Sequence, residues 1–202
     1  MQTLTRLYDN HDDAAAVVNQ LEAAGVPHND ISIVSNNADG RTLDGYATDA
    51  GDAAATGAGT GASIGTVLGG GAGLLAGIGA LAIPGVGPIV AAGWLVAALT
   101  GAGAGAAAGG LLGSLTGAGV NEADSHVLSE GVRRGGTLVT VRADDAQADR
   151  LQTMLDGTKP VDVATRRGEY QTEGWNEHDV AATPYTAEQV AEERRRRVAS
   201  GL

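Results

Sequence analysis

Between Ala53 and Asn121 the chain runs for 69 residues without one Asp, Glu, Lys, Arg or His, and 21 of those residues are Gly and 19 are Ala. Within that stretch glycine recurs at every fourth position, at Gly57, Gly61, Gly65, Gly69, Gly73 and Gly77, and again at Gly101, Gly105, Gly109, Gly113 and Gly117. A Gly inside a helix costs about 1 kcal/mol relative to Ala, so eleven of them in two ladders exclude an isolated, water-exposed helix. A stripe without side chains instead lets a second helix come close enough for backbone packing and Cα–H···O contacts. The spacing predicts two helical arms that dock on each other or on a neighbouring subunit. Between the ladders, Pro84-Gly85-Val86-Gly87-Pro88 breaks any helix and permits a reversal, so Pro84, Gly85, Gly87 and Pro88 read as the turn of a helical hairpin.

The remaining faces of both arms are apolar. Ile64 to Ile83 and Ile89 to Leu112 are 20 and 24 residues long, enough to cross about 30 Å of hydrocarbon, and helices apolar all round are buried in protein or in lipid. The flanking charges are Asp49, Asp52, Glu122 and Asp124, so the cationic anchors of a membrane span are absent, and Trp94 alone stands where an aromatic belt belongs. Two environments therefore stay open for the hairpin: membrane lipid, or a common apolar core built from many copies of the chain.

The flanks read as halves of one small domain. Gln2 to Tyr8 alternates as a strand, Asp9 to Asp12 supplies cap-type residues, and Ala15, Val18, Leu21 and Ala24 recur at helical spacing before Gly25. Ile31 to Ser35 is a second strand. Beyond the glycine-rich stretch a helix over residues 121–134 places Val127, Leu128 and Val132 on one side, and Thr137 to Arg142 is a strand. A helix from Asp144 to Leu155 follows, with Ala148, Leu151 and Leu155 inward, and Val161 to Thr165 reads as a last strand. Two βαβ halves in series predict an α+β fold, a ferredoxin-like βαββαβ sandwich with the Gly/Ala-rich hairpin inserted between its second and third strands. The boundaries are 1–50 for the first half, 51–121 for the hairpin, 122–168 for the second half and 169–202 for a polar tail.

The formal net charge of −11 disfavours nucleic acid as a partner, since phosphate contacts need clustered Lys and Arg. Without cysteine there is no disulfide framework, thiolate nucleophile or Cys-based metal centre. Met1 to Asp9 lacks the apolar core of a cleaved secretory signal, so a cytoplasmic domain is expected, associated with the inner membrane or part of a soluble assembly.

His11, His28, His126 and His178 fall in no ligand spacing and read as surface residues. Asp124-Ser125-His126 has the letters of a catalytic triad, but successive helical residues point in different directions. The glycine runs contain no phosphate-binding motif. No catalytic residue, cofactor, metal or small-molecule substrate is expected. In the tail, Thr186 to Gln189 forms a capping box ahead of a charged helix in which Glu192 and Glu193 precede Arg196 and Arg197 at i, i+4. Arg194, Arg195, Arg196 and Arg197 either make intrahelical pairs or touch anionic headgroups or an acidic partner.

An α/β unit interrupted by a Gly/Ala-rich hydrophobic hairpin and followed by Glu130-Gly131-Val132-Arg133-Arg134-Gly135-Gly136 resembles the bacterial heat-induced general stress proteins with glycine zippers. The resemblance extends over residues 2–167 and implies a stress-associated protein without catalytic residues. Combined with the ladders, it gives an expectation of a non-enzymatic protein whose hairpin drives membrane association and homo-oligomerisation, or self-assembly into a soluble particle or filament, with a small-ligand-binding sensor domain as a third reading.

Overall fold

The computed structural model describes residues 1–38, 79–83, 86–95, 98 and 103–200. The first ladder, Gly57 to Gly77, and the positions of Gly101, Pro84 and Gly85 lie outside the described residues.

Three strands come from the segments the alternation marked: β1 (Gln2–Tyr8), β2 (Ile31–Asn36) and, later in the chain, Thr137–Ala143. Helix α1 (His11–Ala23) starts where Asn10 Oδ1 accepts the Asp12 N–H at 3.0 Å, and Asp12 and Asp13 in its first turn complement the helix dipole. Its buried stripe is Ala14, Val17, Val18 and Leu21, so the helix is turned slightly from the Ala15–Val18–Leu21–Ala24 register of the sequence reading.

The middle of the glycine-rich stretch departs from the helical hairpin. Gly79–Ile83 and Gly87–Gly93 are strands β3 and β4, paired antiparallel from Gly79↔Ala91 to Ile83↔Gly87. The helix expected from Ile89 to Leu112 is thus replaced over its first five residues by β4, which lines up along β2 with Val34↔Ala91 and Asn36↔Ile89. β-branched Ile83, Ile89 and Val90 beside a Pro/Gly reversal are hairpin chemistry, and β2, buried along its whole length, leaves a row of backbone donors and acceptors that β4 satisfies. The chain does reverse between Ile83 and Gly87, with Gly87 and Pro88 opposite Ile83 and Ala82. Val86 in that turn is fully buried.

Helix α2 (Gly103–Gly117) carries Gly105, Gly109, Gly113 and Gly117 and is broken at Gly110, where φ is +52°. Its Leu111 and Leu115 are buried against α3 (Glu122–Arg133), whose own inward residues are Val127, Leu128 and Val132. A Cβ on Gly117 would meet nothing within 4 Å. Among the described residues no helix is long and apolar enough to cross a membrane.

The Thr137–Ala143 strand, β5, lies between β1 and β2 in the order β1-β5-β2-β4-β3, every pairing antiparallel. Placing it between the first two strands is what a βαββαβ chain requires. The last strand of that plan is absent. Val161 donates one backbone bond to the Leu7 carbonyl (2.8 Å), and then Asp162 accepts the Thr165 N–H at 2.7 Å and starts a helix over Val163–Thr172. An N-cap Asp two residues into a short apolar run outcompetes strand pairing, because its side chain offers the following backbone a helical start.

The sheet carries helices on both faces. On one, α1 and α4 (Ala148–Asp156) close a cluster of Leu4, Tyr8, Val17, Leu21, Ile33, Val139 and Leu155. On the other, α2, α3 and the turn residue Val86 cover Leu7, Val34, Ala91 and Leu138. Trp94 packs at the rim of this second cluster with the Arg142 guanidinium 5.1 Å from its ring.

Candidate functional site

The densest chemistry lies where the tail folds back on the C-terminal end of α3. Helix α5 (Val163–Thr172) and helix α6 (Ala187–Ser200) meet that end together with the loop between them. α3 finishes in a tight turn: Gly135 donates to Val132 O (3.0 Å) and Gly136 to Gly131 O (2.9 Å), the paired bonds that satisfy terminal carbonyls. Gly135 takes φ +102°, and a Cβ there would lie 2.5 Å from Val190 Cγ1 of α6. A side chain at this position would strain the backbone and displace the tail helix. Gly131 leaves the same kind of room for Leu7, whose Cδ2 would sit 2.3 Å from an added Cβ. The Gly131–Gly136 motif is thus a close-packed corner joining β1, α3 and the tail.

Charges surround the corner. Glu130, almost fully buried, accepts from Arg134 Nε at 2.7 Å and Arg133 Nη1 at 2.8 Å, with His178 Nδ1 at 3.2 Å from its other oxygen. A carboxylate only accepts, so the His178 ring carries its proton on Nδ1. Arg134 reaches Glu173 at 2.5 Å and lies 4.0 Å from the centre of the Tyr170 ring. Asp9, just past β1, takes a two-pronged bond from Arg166 at 2.9 and 2.6 Å and a bond from Arg197. Arg197 also donates to Glu193 (3.1 Å) and to the Tyr170 hydroxyl (3.2 Å). Burial by itself pushes the Glu130 and Asp9 carboxyls up; hydrogen bonds from His178 and Arg134, and from Arg166 and Arg197, outweigh it and hold both below the ordinary carboxylate range. Burial likewise lowers Arg134 and Arg166, but their carboxylate partners win and raise both. Burial raises the Tyr170 hydroxyl. Every charge named here is compensated, as buried charges must be, and what the cluster does is hold the tail against the domain.

The four tail arginines divide between inside and outside. Arg194 donates to Gly135 O at 3.1 Å and Arg197 is buried on Asp9, while the exposed Arg196 pairs with Glu173 at 2.9 Å. Arg195 pairs with Glu192 at 2.5 Å on the exposed side, each side chain 70% accessible. The Glu193–Arg197 pair at i, i+4 is the intrahelical contact the sequence spacing anticipates. What the sequence reading missed is that this pair is buried; the one signal for it is Arg166 and Tyr170 at i, i+4, an inward stripe on α5.

The histidines take separate roles. His28 lies 2.8 Å from Glu22, and His126 Nδ1 accepts the His178 N–H at 3.1 Å. In the Asp124-Ser125-His126 run, Asp124 pairs with Arg167 at 2.6 Å and Ser125 donates to Asn121 O at 2.9 Å, so the three side chains serve three different neighbours. Among the described residues no group of three or more His, Asp or Glu is placed to hold a metal. An open cleft of about 540 Å³ lies at the start of α3, lined by Asn121, His126, Arg167, Trp175 and the acidic Glu122 and Glu177.

Fold and corner together define a three-layer α+β domain clasped by its own tail, the kind of unit in which a Gly/Ala-rich segment interrupts a small sheet. A family model described as the heat induced stress protein YflT domain matches residues 3–72, which take in β1, α1, β2 and Gly57 to Gly69 of the first ladder. The match supports a place among general stress proteins, over about a third of the 202-residue chain. Glu130 to Gly136, the motif on which the resemblance rests in sequence, lies beyond it. No curated protein and no solved structure matches.

Proposed function

We propose that this chain is a non-catalytic, stress-associated protein that self-assembles through its first glycine ladder, Gly57 to Gly77. The observation that carries the reading is the division of the uncharged stretch. Its second half is taken up within the domain, through β3, β4, Val86, Leu111 and Leu115. Residues 53–78, uncharged and bearing six ladder glycines, are the apolar run of the sequence on which self-assembly is placed.

The same division weighs against lipid as the partner. β2 and β3 belong to one sheet, so a segment that leaves after β2 must return to the same side. Two crossings need about 40 apolar residues, whereas the uncharged run before β3 is the 26 residues 53–78, preceded by Asp39, Arg41, Asp44, Asp49 and Asp52. A shallow contact with a membrane surface remains the second reading, resting on the apolar character of that run. The stress association rests on the family match.

Sedimentation of the full chain with and without detergent separates the readings. A large species that persists without detergent and shrinks in a Gly69→Leu, Gly73→Leu double variant is expected; recovery of the chain only with lipid sinks self-assembly in favour of a membrane partner.

A further inference from the structure

The cleft at the start of α3 gathers charged groups from three places that the fold leaves with little to do. His126 comes from α3, Arg167 from α5, and Trp175 and Glu177 from the loop after α5. Glu122 precedes His126 by four residues and so shares its helix face. The proton of His126 is placed by its bond to that loop. Its Nδ1 accepts the His178 N–H at 3.1 Å, so the neutral ring carries its proton on Nε2, which becomes a donor. Arg167 donates once, to Asp124 at 2.6 Å, and the rest of its guanidinium fork stays free. The contrast is with Arg134, Arg166 and Arg197 in the tail corner, each bonded to at least two groups.

We propose that this cleft binds a basic α-amino acid. Its carboxylate is held by Arg167 and the His126 Nε2–H, its two cationic groups by Glu122 and Glu177, and its aliphatic stem lies along Trp175. Charge selects the ligand class. Arg167 and Asp124 offset each other as a pair, and Glu122 and Glu177 then leave the wall acidic, so a plain anion such as phosphate is repelled. A plain cation would satisfy the two glutamates but leave the Arg167 and His126 donors unused. One carboxylate and two cations on one molecule match both sets, whereas an acidic amino acid brings a carboxylate too many. A divalent metal does not fit, since among the described residues no three ligands converge and the second nitrogen of His126 is protonated.

The cleft encloses about 540 Å³, within the range of about 300–1,000 Å³ typical of small-molecule sites. No residue of the glycine-rich stretch takes part, so this site and the proposed self-assembly fail independently.

Titration calorimetry of the full chain tests the site with three probes. L-Arginine should bind. Agmatine, the same molecule without its carboxylate, should bind about tenfold more weakly or worse, because it forfeits the charge-assisted bonds to Arg167 and His126. L-Glutamate should give no heat of binding. Arg167→Gln, at a position 32% exposed, should keep a native-like melting curve and lose the preference for L-arginine over agmatine, while Glu177→Gln in the exposed loop should weaken both cations. No binding of L-arginine at millimolar concentration overturns the proposal. Equal affinity for L-arginine and agmatine overturns it too, reducing the cleft to an acidic surface that attracts any cation, as does a folded Arg167→Gln chain that still prefers L-arginine. Gly69→Leu, Gly73→Leu chains that no longer assemble should bind L-arginine as before.

Discussion

The two faces of this sheet are closed by different physics. On the α1–α4 side, Leu4, Val17, Leu21, Ile33, Val139 and Leu155 form an aliphatic cluster supplied by elements that each bury their own apolar stripe. On the α2–α3 side, the cluster is completed by the glycine-rich stretch and its border is held by buried ions contributed from residues 9, 130, 134, 166, 193 and 197. The first face is stabilised roughly in proportion to buried area and tolerates gradual change. The second depends on complete pairing, so losing one member strands several others.

That contrast breaks most clearly at Arg134, which joins Glu130 to Glu173 from a 6% exposed position. Arg134→Met leaves the buried Glu130 short of a donor and is expected to cost about 3–5 kcal/mol, lowering the melting temperature by about 10 °C. Leu21→Ala, a fully buried truncation on the other face, costs a similar or smaller amount, about 2–4 kcal/mol. The difference is in kind: only the Arg134 variant should release residues 173–200, read as faster tryptic cleavage at Arg194 to Arg197 below the melting transition. Equal protection of the tail in both variants would mean that the ions do not hold it.

Acid probes the same contrast more gently. Asp9 and Glu130 sit below their ordinary values in the fold, against about 3.9 and 4.3 in an unfolded chain. A group whose value is depressed by folding adds stability that is complete above the unfolded value and drains away as pH falls through the folded one. Stability should therefore hold level above about pH 5 and decline below about pH 4. The tail should go first. Trp175, edge-on to Tyr170 at 5.4 Å between ring centres, reports the tail by fluorescence, while far-ultraviolet dichroism reports the helices; a single transition in both signals at one pH removes the distinction between the faces.

The aliphatic face was legible because its signals are local. The alternation of Gln2–Tyr8, the spacing of Val18 and Leu21 in α1, and the inward set Ala148, Leu151 and Leu155 each identify their own element. The ionic corner was not. Nothing near Glu130 in sequence announces that Arg166, His178 and Arg197 will close over it, and a charged helix such as 187–200 reads as solvated whenever its partner is distant. Val161 to Thr165 misled for a related reason: an apolar alternation five residues long is overruled by one capping Asp. The apolar run misled from Ile89 to Gly93, where continuity with the second ladder suggested a helix but β2 needed a neighbour.

The smallest effect belongs to the most exposed tail arginine. Arg195 and Glu192 are each 70% accessible, and an ion pair in that setting contributes about 0–1 kcal/mol because water screens it and both long side chains lose freedom on pairing. Arg195→Ala is expected to shift the melting temperature by no more than about 1–2 °C. If Arg195 serves anionic headgroups instead, the same variant bound to vesicles containing a fifth phosphatidylserine should lose affinity severalfold, since each basic residue near such a surface contributes about 1 kcal/mol. Unchanged vesicle binding together with an unchanged melting curve assigns Arg195 to solvent. The tail's arginines then act through the inward set, with Arg197 on Asp9 and Arg194 on the Gly135 carbonyl fastening the helix to the corner it covers.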